Sequence, residues 1–140
     1  MAHSRNLDPE MIWEPTNFSG SQAYSDSKLA MILFTFKLAQ RLDKITVNCL
    51  HPGVINTKLL QKGWGAGGSS VEKGAETPIY LALSNEVKEI SGTYFVNKKK
   101  KRLAAAASKQ ELQDQLWNKS IELIKHQEIL NKIPDRLIKA

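Results

Sequence analysis

A long regular pattern of apolar positions runs from residue 22 to residue 42. Apolar side chains recur there at steps of three and four residues, the spacing that places them on one face of an α-helix. This face consists of Leu29, Ile32, Leu33, Phe36 and Ala39. A second apolar face consists of Met31, Phe34 and Leu38. The pattern predicts one helix over Gln22–Leu42 that is either deeply buried or shared with a partner, because both faces must be covered.

A short run of β-branched and apolar residues over Ile45–Leu50 predicts a strand that is buried on both faces. Asn48 is the polar residue in this run, and a buried asparagine has to be hydrogen-bonded. The strand is expected to end at the motif His51-Pro-Gly, because proline lacks an amide donor and glycine permits unusual dihedral angles. A structural role for His51 is favoured over a catalytic one, and Cys49 is interpreted as a packing residue.

The rest of the chain alternates between loop, helix and strand patterns. Between Lys58 and Ser70, four glycines within six residues predict a mobile loop, and their spacing does not match a phosphate-binding loop. Val71–Ser84 is a predicted helix with Ser70 as its N-cap, and Gly92–Val96 is a predicted final strand. Lys109–Leu130 is a predicted amphipathic helix. The apolar face of the Val71–Ser84 helix would consist of Ala75, Ile79, Ala82 and Leu83.

Length and charge limit the classes of protein to consider. The 140 residues fit one domain, and an apolar content of 41% is enough to build a core. The net charge is +6, but five of the basic residues are consecutive, from Lys98 to Arg102, so the remainder is nearly neutral. A general nucleic-acid-binding surface is therefore not expected. The basic run is interpreted as a solvated loop, with a nuclear-localisation signal or a patch for an anionic surface as the alternative.

The single cysteine excludes an internal disulfide and is compatible with a reducing compartment, so we expect a cytoplasmic location. No stretch approaches the roughly 20 apolar residues that span a bilayer. The N-terminus has no apolar core of the kind that marks a signal peptide. We expect neither a transmembrane segment nor a metal site.

Tyr24 and Lys28 are the candidate catalytic residues, because they are spaced four apart near the start of the first predicted helix. Residues at this spacing share a helix face, with Cβ atoms roughly 5–6 Å apart. A tyrosine phenol with its usual pKa of about 10 is a poor base at neutral pH, and a neighbouring cation favours the phenolate. The pair could then serve as a general acid–base group. By spacing alone, a chance pair on a helix is the alternative.

Two segments resemble the short-chain dehydrogenase/reductase superfamily, above all its retinol-dehydrogenase-like branch. The sequence AYSDSKLAMILFT over Ala23–Thr35 resembles the active-site helix of that family. The sequence VNCLHPGVINT over Val47–Thr57 is similar to the strand and Pro-Gly loop that follow this helix. The resemblance extends over residues 1–96, and residues 110–124 are similar to the C-terminal helix of some members.

This resemblance implies an α/β fold with a Rossmann-like, doubly wound parallel sheet, and NAD(P)-dependent interconversion of alcohols and carbonyls. Tyr24 would be the proton donor and acceptor, while Lys28 would favour its ionised form and hold the ribose hydroxyls of the cofactor. The nicotinamide would lie against the Pro-Gly turn. The implied cofactor-binding positions are Tyr24, Lys28, Pro52, Gly53, Val54 and Thr57. Whether the cofactor is NAD or NADP stays open.

The resemblance also implies partners. Leu59, Leu60 and Trp64 suggest an apolar lining for a small alcohol or carbonyl substrate, although they could equally anchor their own loop. Members of this family often pair through the active-site helix, so a homo-oligomer through Gln22–Leu42 is an expected arrangement.

In the family, the glycine-rich strand–turn–helix unit that holds the pyrophosphate precedes these segments. By this register, that unit and the catalytic serine would both lie before Met1. We therefore expect the C-terminal part of the fold with two parallel strands, and with the N-terminal nucleotide-binding half absent. Residues 1–107 would form this portion, and residues 108–140 a C-terminal amphipathic helix and tail. The alternative is a catalytically inactive fragment that acts as a protein-interaction or subunit-like piece.

Overall fold

A computed structural model describes residues 19–65, 67–103 and 105–124 of the chain. Residues 1–18, and the predicted end of the last helix beyond residue 124, lie outside the described residues. The helices are α1 (Gly20–Arg41), α2 (Lys58–Trp64), α3 (Val71–Leu83) and α4 (Gln110–Ile124). The strands are β1 (Cys49–His51), β2 (Tyr94–Val96) and β3 (Lys99–Lys100), and short 3-10 turns cover Asn85–Val87 and Ala105–Ser108.

The sheet has 3 strands in the order β1-β2-β3. β1 pairs with β2 in parallel, with Leu50 opposite Phe95, and β2 pairs with β3 in antiparallel orientation, with Phe95 opposite Lys100. The two expected parallel strands are therefore present, but the expectation of a purely parallel sheet is wrong: the α/β class holds, and a third, antiparallel strand makes the sheet small and mixed. Among the residues that the structure describes, β1 has a paired strand on one edge only.

β1 is shorter than its predicted span, because the segment before it is held mainly by a side chain. Asn48 donates from Nδ2 to the carbonyl of Ile90 at 2.6 Å and accepts at Oδ1 from the amide of Thr93 at 3.0 Å. The ladder with β2 then begins at Cys49, whose amide donates to the Thr93 carbonyl at 3.1 Å. The expectation that Asn48 is hydrogen-bonded is confirmed. Ile45 is exposed rather than buried in a strand.

The apolar stripe of α1 faces the core as predicted. Its buried members are Leu29, Ile32, Leu33 and Ala39, and Phe36 packs against the same cluster. From the opposite side, α4 contributes Leu112, Leu116 and Trp117, all buried. Tyr94 of β2 completes the cluster, together with Ala106 and Ala107. The core therefore lies between α1, α4 and one face of the sheet.

Part of the second apolar face of α1 is covered by α4. The ring of Phe34 stacks on Trp117 with centroids 5.2 Å apart. Lys37 forms an ion pair with Asp114. Gln113 donates from Nε2 to the Ala107 carbonyl at 3.0 Å, which fixes the start of α4 against the preceding turn. The division into residues 1–107 and 108–140 stays a prediction, as does pairing of two chains through α1.

α3 begins as predicted but buries a different face. The hydroxyl of Ser70 accepts from the Lys73 amide at 3.2 Å, so Ser70 is the N-cap. Ile79 and Leu83, predicted to be buried, are 55% and 78% exposed. The buried residues are Gly74 and Thr77.

Close approach explains which face of α3 is buried. A Cβ at Gly74 would lie 2.9 Å from two side-chain carbons of Ile55, so only a glycine fits this contact without a shift. Thr77 accepts at Oγ1 from the Lys98 amide at 3.2 Å. The apolar pattern identified the wrong side because small and hydroxylated residues are needed where α3 meets its neighbours.

The segment predicted to be a mobile loop contains α2. The Thr57 hydroxyl accepts from the Leu60 amide at 3.3 Å and caps the start of the helix. Gly65 follows the helix with a φ of 85°, a value that favours glycine. After α2 the backbone comes back beside the residues that precede this helix. Ser69 donates its amide to the Val54 carbonyl at 2.8 Å, and the Asn56 amide donates to the Ser69 carbonyl at 2.9 Å.

The basic run does not form a loop throughout, because part of it is β3. Asn97 and Lys98 both have positive φ, 50° and 62°, as expected of a two-residue turn whose twist matches the flanking strands. The Lys101 amide continues the pairing by donating to the Tyr94 carbonyl at 2.9 Å. No alternation of apolar residues marks this segment, so pairing with β2 decides its structure.

Candidate active site

Tyr24 and Lys28 lie on the same face of α1, near its N-terminus. The Lys28 ammonium is 5.2 Å from the centroid of the Tyr24 ring. Tyr24 is 49% exposed and Lys28 is half-buried, so a small molecule could reach the phenol from solvent. The geometry is the one that the i,i+4 spacing predicts. The catalytic roles of the two residues stay predictions.

The serines around Tyr24 bond to the helix backbone. Ser27 donates from Oγ to the carbonyl of Tyr24 at 2.7 Å, and Ser25 donates from Oγ to the carbonyl of Ser21 at 3.0 Å. Hydroxyls in a helix commonly make such local bonds. These two serines therefore act on the local helix geometry, and the structure gives no reason to count them among the reacting groups.

The Pro-Gly turn follows directly after β1. The Gly53 amide donates to Nδ1 of His51 at 2.8 Å, and Gly53 has φ 101°, a conformation that favours glycine. His51 thus holds the turn, which is the structural role expected for it. The spacing of two residues between the imidazole and the amide is the signal that sequence reasoning could have used to assign this bond. Pro52 and Val54 are exposed beside it.

The packing of α1 on the sheet puts the Tyr24–Lys28 pair and the Pro-Gly turn at the same end of the strands. A Cβ on Gly92, just before β2, would lie 3.5 Å from Cβ of Ala39, so the C-terminal part of α1 lies at the amino ends of the parallel strands. Tyr24 is fifteen residues earlier, about 22 Å back along the helix. It therefore lies towards the carboxyl ends, where the turn at Pro52 and Gly53 follows β1. Ligands of open α/β sheets bind at that end.

Cys49 is a packing residue rather than a reactive one. Burial raises the pKa of its thiol to about 11, although a hydrogen bond with Thr35 acts in the opposite direction. Because the thiolate is the reactive form, a thiol with this pKa is poorly nucleophilic near neutral pH. Cys49 packs against the core cluster, in agreement with its interpretation from the sequence.

We expect Cys49 to react slowly with a thiol reagent in the folded protein and fully after unfolding. Compared with a thiol at the ordinary value of 9.0, a pKa of about 11 lowers the thiolate fraction near pH 8 by roughly a hundredfold. The measurement is the rate of reaction with a chromogenic disulfide at pH 8, with and without denaturant. Equal rates in the two conditions would contradict the buried position.

Within residues 19–65, 67–103 and 105–124, no cluster of three or more His, Cys, Asp or Glu side chains could hold a metal ion. In the same ranges, no helix has the length and apolar character needed to cross a bilayer.

Comparisons with known proteins point to one superfamily. The chain is 35% identical to human retinol dehydrogenase 13 over 133 residues, which cover 82% of this chain and 40% of that protein. It is 41% identical to human retinol dehydrogenase 14 over 118 residues, covering 73% of this chain and 35% of that protein. Human polyprenol dehydrogenase is 35% identical over 122 residues, with 76% of this chain and 37% of the relative covered. The chain belongs to the short-chain dehydrogenase/reductase superfamily. No family model matches it.

The match to this superfamily is partial in length. The chain spans about two fifths of the length of the curated relatives it matches. The activity of a whole short-chain dehydrogenase is therefore a proposal for this chain.

The residues at the turn fit a nicotinamide cofactor of the kind this superfamily generally uses. Gly53 presents backbone without a side chain, and the exposed Val54 beside it offers an apolar surface for a flat ring. The Thr57 hydroxyl uses an acceptor position for capping α2 and keeps its proton for donation, since a hydroxyl has one donor and two lone pairs. These groups, together with the ammonium of Lys28, are suited to bind an amide, a ribose or a phosphate.

Proposed function

We propose that this chain carries the proton-transfer and nicotinamide-facing part of an NAD(P)-dependent oxidoreductase that interconverts alcohols and carbonyls. The observation that carries the proposal is the Lys28 ammonium 5.2 Å from the centroid of the Tyr24 ring, on an accessible face of α1. Its support is that retinol and polyprenol dehydrogenases are 35–41% identical to the chain over about three quarters or more of its length.

Each residue has a definite task in this proposal. A bound nicotinamide would supply the acceptor for the hydride that leaves the carbinol carbon. The Tyr24 oxygen takes the hydroxyl proton of the alcohol in oxidation and returns it to the carbonyl oxygen in reduction. Lys28 stabilises the deprotonated form of Tyr24, because its positive charge lies close to the negative charge of the phenolate.

The turn after β1 positions the cofactor. His51 fixes the Gly53 amide through its 2.8 Å hydrogen bond, so the backbone at Gly53 is held in one conformation before a ligand arrives. Preformed positioning of this kind lowers the entropic cost of reaction. Pro52 and Val54 provide apolar contact, and Thr57 provides a hydroxyl donor. NAD and NADP are both compatible with these groups.

Substrates of the proposed reaction are apolar alcohols and the corresponding carbonyl compounds. The relatives are named for retinol and polyprenol, both alcohols with large apolar parts. Leu59 of α2 is exposed close after the turn in sequence and could contact such a chain.

The test is a spectrophotometric assay of nicotinamide reduction with a panel of alcohols that includes retinol and a polyprenol. It uses the longest natural polypeptide in which these 140 residues occur. We expect turnover with at least one apolar alcohol and either NAD or NADP. Failure of every combination, with calorimetry showing no binding of either cofactor, would overturn the proposal and favour the non-catalytic interaction piece.

A further inference from the structure

The β2–β3 hairpin carries a dense group of cations that the proposed oxidoreductase function does not use. Residues 98–102 are all basic and all exposed. The four residues that follow the turn, 99–102, would span about 10 Å from the first to the last in extended chain. Since the Debye length is about 8 Å at physiological ionic strength, neighbouring charges in this basic hairpin act together on an approaching anion.

Most of this charge has no counter-charge among the residues that the structure describes. Glu76 lies 3.1 Å from the Lys98 ammonium, but it also pairs with Lys73 at 2.9 Å. Within the described ranges, the side chains at 99–102 make no ion pair with a carboxylate. Crowded like charges repel one another, so a polyanionic partner would stabilise this hairpin.

Strand pairing distributes the cations around the rim of the sheet. Lys100 is opposite Phe95 and Lys99 is opposite Val96, so these two lysines project to opposite faces. β3 is the last strand on its side of the sheet. The charges therefore form a projecting edge rather than a broad flat face.

An exposed apolar ridge on α3 begins beside these cations. Ile79 follows Glu76 by three residues and Leu83 follows Ile79 by four, so the three side chains share one helix face. Glu76 is the residue that contacts Lys98. Ile79 and Leu83 are the exposed side chains whose burial the apolar pattern had predicted. The aliphatic ridge thus begins beside Lys98, the first residue of the basic run.

We propose that this surface, formed by residues 98–102 and the ridge of Ile79 and Leu83, docks on a membrane that contains anionic lipids. Cations bind the phosphate and carboxylate headgroups, and aliphatic side chains enter the boundary between headgroups and acyl chains. Nucleic acid fits less well, because the run contains no aromatic residue for stacking on bases and the rest of the chain is nearly neutral. This inference does not depend on the proposed oxidoreductase function.

The first test measures sedimentation of the chain with vesicles of phosphatidylcholine, with and without phosphatidylserine. We expect binding to the anionic vesicles only. Replacing Lys99, Lys100 and Lys101 by glutamine should weaken the binding by roughly a hundredfold, at about fivefold per charge near an anionic surface. The matched control removes the same charge elsewhere, by replacing Lys44, Lys62 and Lys88, which are all exposed. Equal losses in the two variants would overturn the site.

The second test separates a membrane from other partners. A variant with Ile79→Ser and Leu83→Ser should bind the same vesicles more weakly, above all at high salt, and should be unchanged in retention on heparin. Circular dichroism checks its folding, and Leu83→Ser alone is the milder substitute, because that side chain is mostly exposed. Unaltered vesicle binding, combined with tight wild-type binding to duplex DNA, would overturn the proposal in favour of nucleic acid. Concentration-dependent dimerisation lost in the variant would overturn it in favour of a second copy of the chain.

Discussion

Replacing Tyr24 with phenylalanine is expected to lower kcat of the proposed alcohol oxidation by roughly a hundredfold to ten-thousandfold, the usual contribution of a general acid–base group. The change removes one oxygen and keeps the ring beneath the Lys28 ammonium, which lies 5.2 Å from the ring centroid. Because Tyr24 is on the accessible face of α1, the fold should be unaffected. The measurement is steady-state kinetics of the longest natural polypeptide, with circular dichroism as the check on folding.

Two companion variants distinguish the role of the hydroxyl from a general effect of losing a tyrosine. Tyr80 lies on α3, away from Tyr24, and its hydroxyl bonds Glu86 at 2.9 Å. Tyr80→Phe removes this hydroxyl, and the kcat of the variant should match that of the wild type. Lys28→Met should lower kcat and also raise KM for the cofactor, because this ammonium would hold the ribose. Turnover in Tyr24→Phe equal to that of Tyr80→Phe would remove Tyr24 from the reaction.

Replacing Phe95 with alanine is expected to reduce the free energy of unfolding by about 3–5 kcal/mol, the range for deleting a buried aromatic side chain. Phe95 lies in the central strand of the sheet, is 1% exposed and meets the ring of Tyr80 edge-on with centroids 6.5 Å apart. The backbone of β2 is hydrogen-bonded to a strand on each side, so it cannot easily shift to fill the cavity. The measurement is equilibrium unfolding in urea.

The matched control is Phe34→Ala, which makes the same chemical change at a side chain that is 40% exposed. Its stack on Trp117 accounts for about 0.5–1.5 kcal/mol beyond area burial, so its loss should be clearly smaller. If Phe95→Ala does not fold, Phe95→Leu keeps most of the volume and should remain folded with a loss of about 1.5 kcal/mol. A Phe34→Ala variant that loses as much stability as Phe95→Ala would contradict the central position of Phe95.

The elements with a strong periodic pattern were predictable from the sequence. α1 differs from its predicted span by two residues at one end and one at the other, because its apolar stripe repeats over about three turns. The cap of α3 was equally clear, since Ser70 stands directly before the helical pattern. The position of Lys28 beside Tyr24 was also predictable, because residues four apart on a helix lie on the same face.

The missed features depend on contacts between distant residues. The buried side of α3 is decided by Ile55 against Gly74 and by the Lys98 amide at Thr77, neither of which an apolar pattern reveals. β3 exists because a turn at residues 97 and 98 folds a lysine-rich segment back on β2. α2 was hidden by the glycines around it, although Thr57 before two leucines was a usable capping signal.

The two backbone bonds that join Ser69 to Val54 and Asn56 have a consequence for how this superfamily can vary. They bring the two ends of the segment between residues 57 and 68 side by side. The length of this segment therefore does not affect the positions of the strands. Gly68 secures the closure, because a Cβ there would lie 2.8 Å from the Val54 carbonyl oxygen. A segment closed in this way can change in length or sequence while the elements on either side of it keep their positions, as is usual for surface connections.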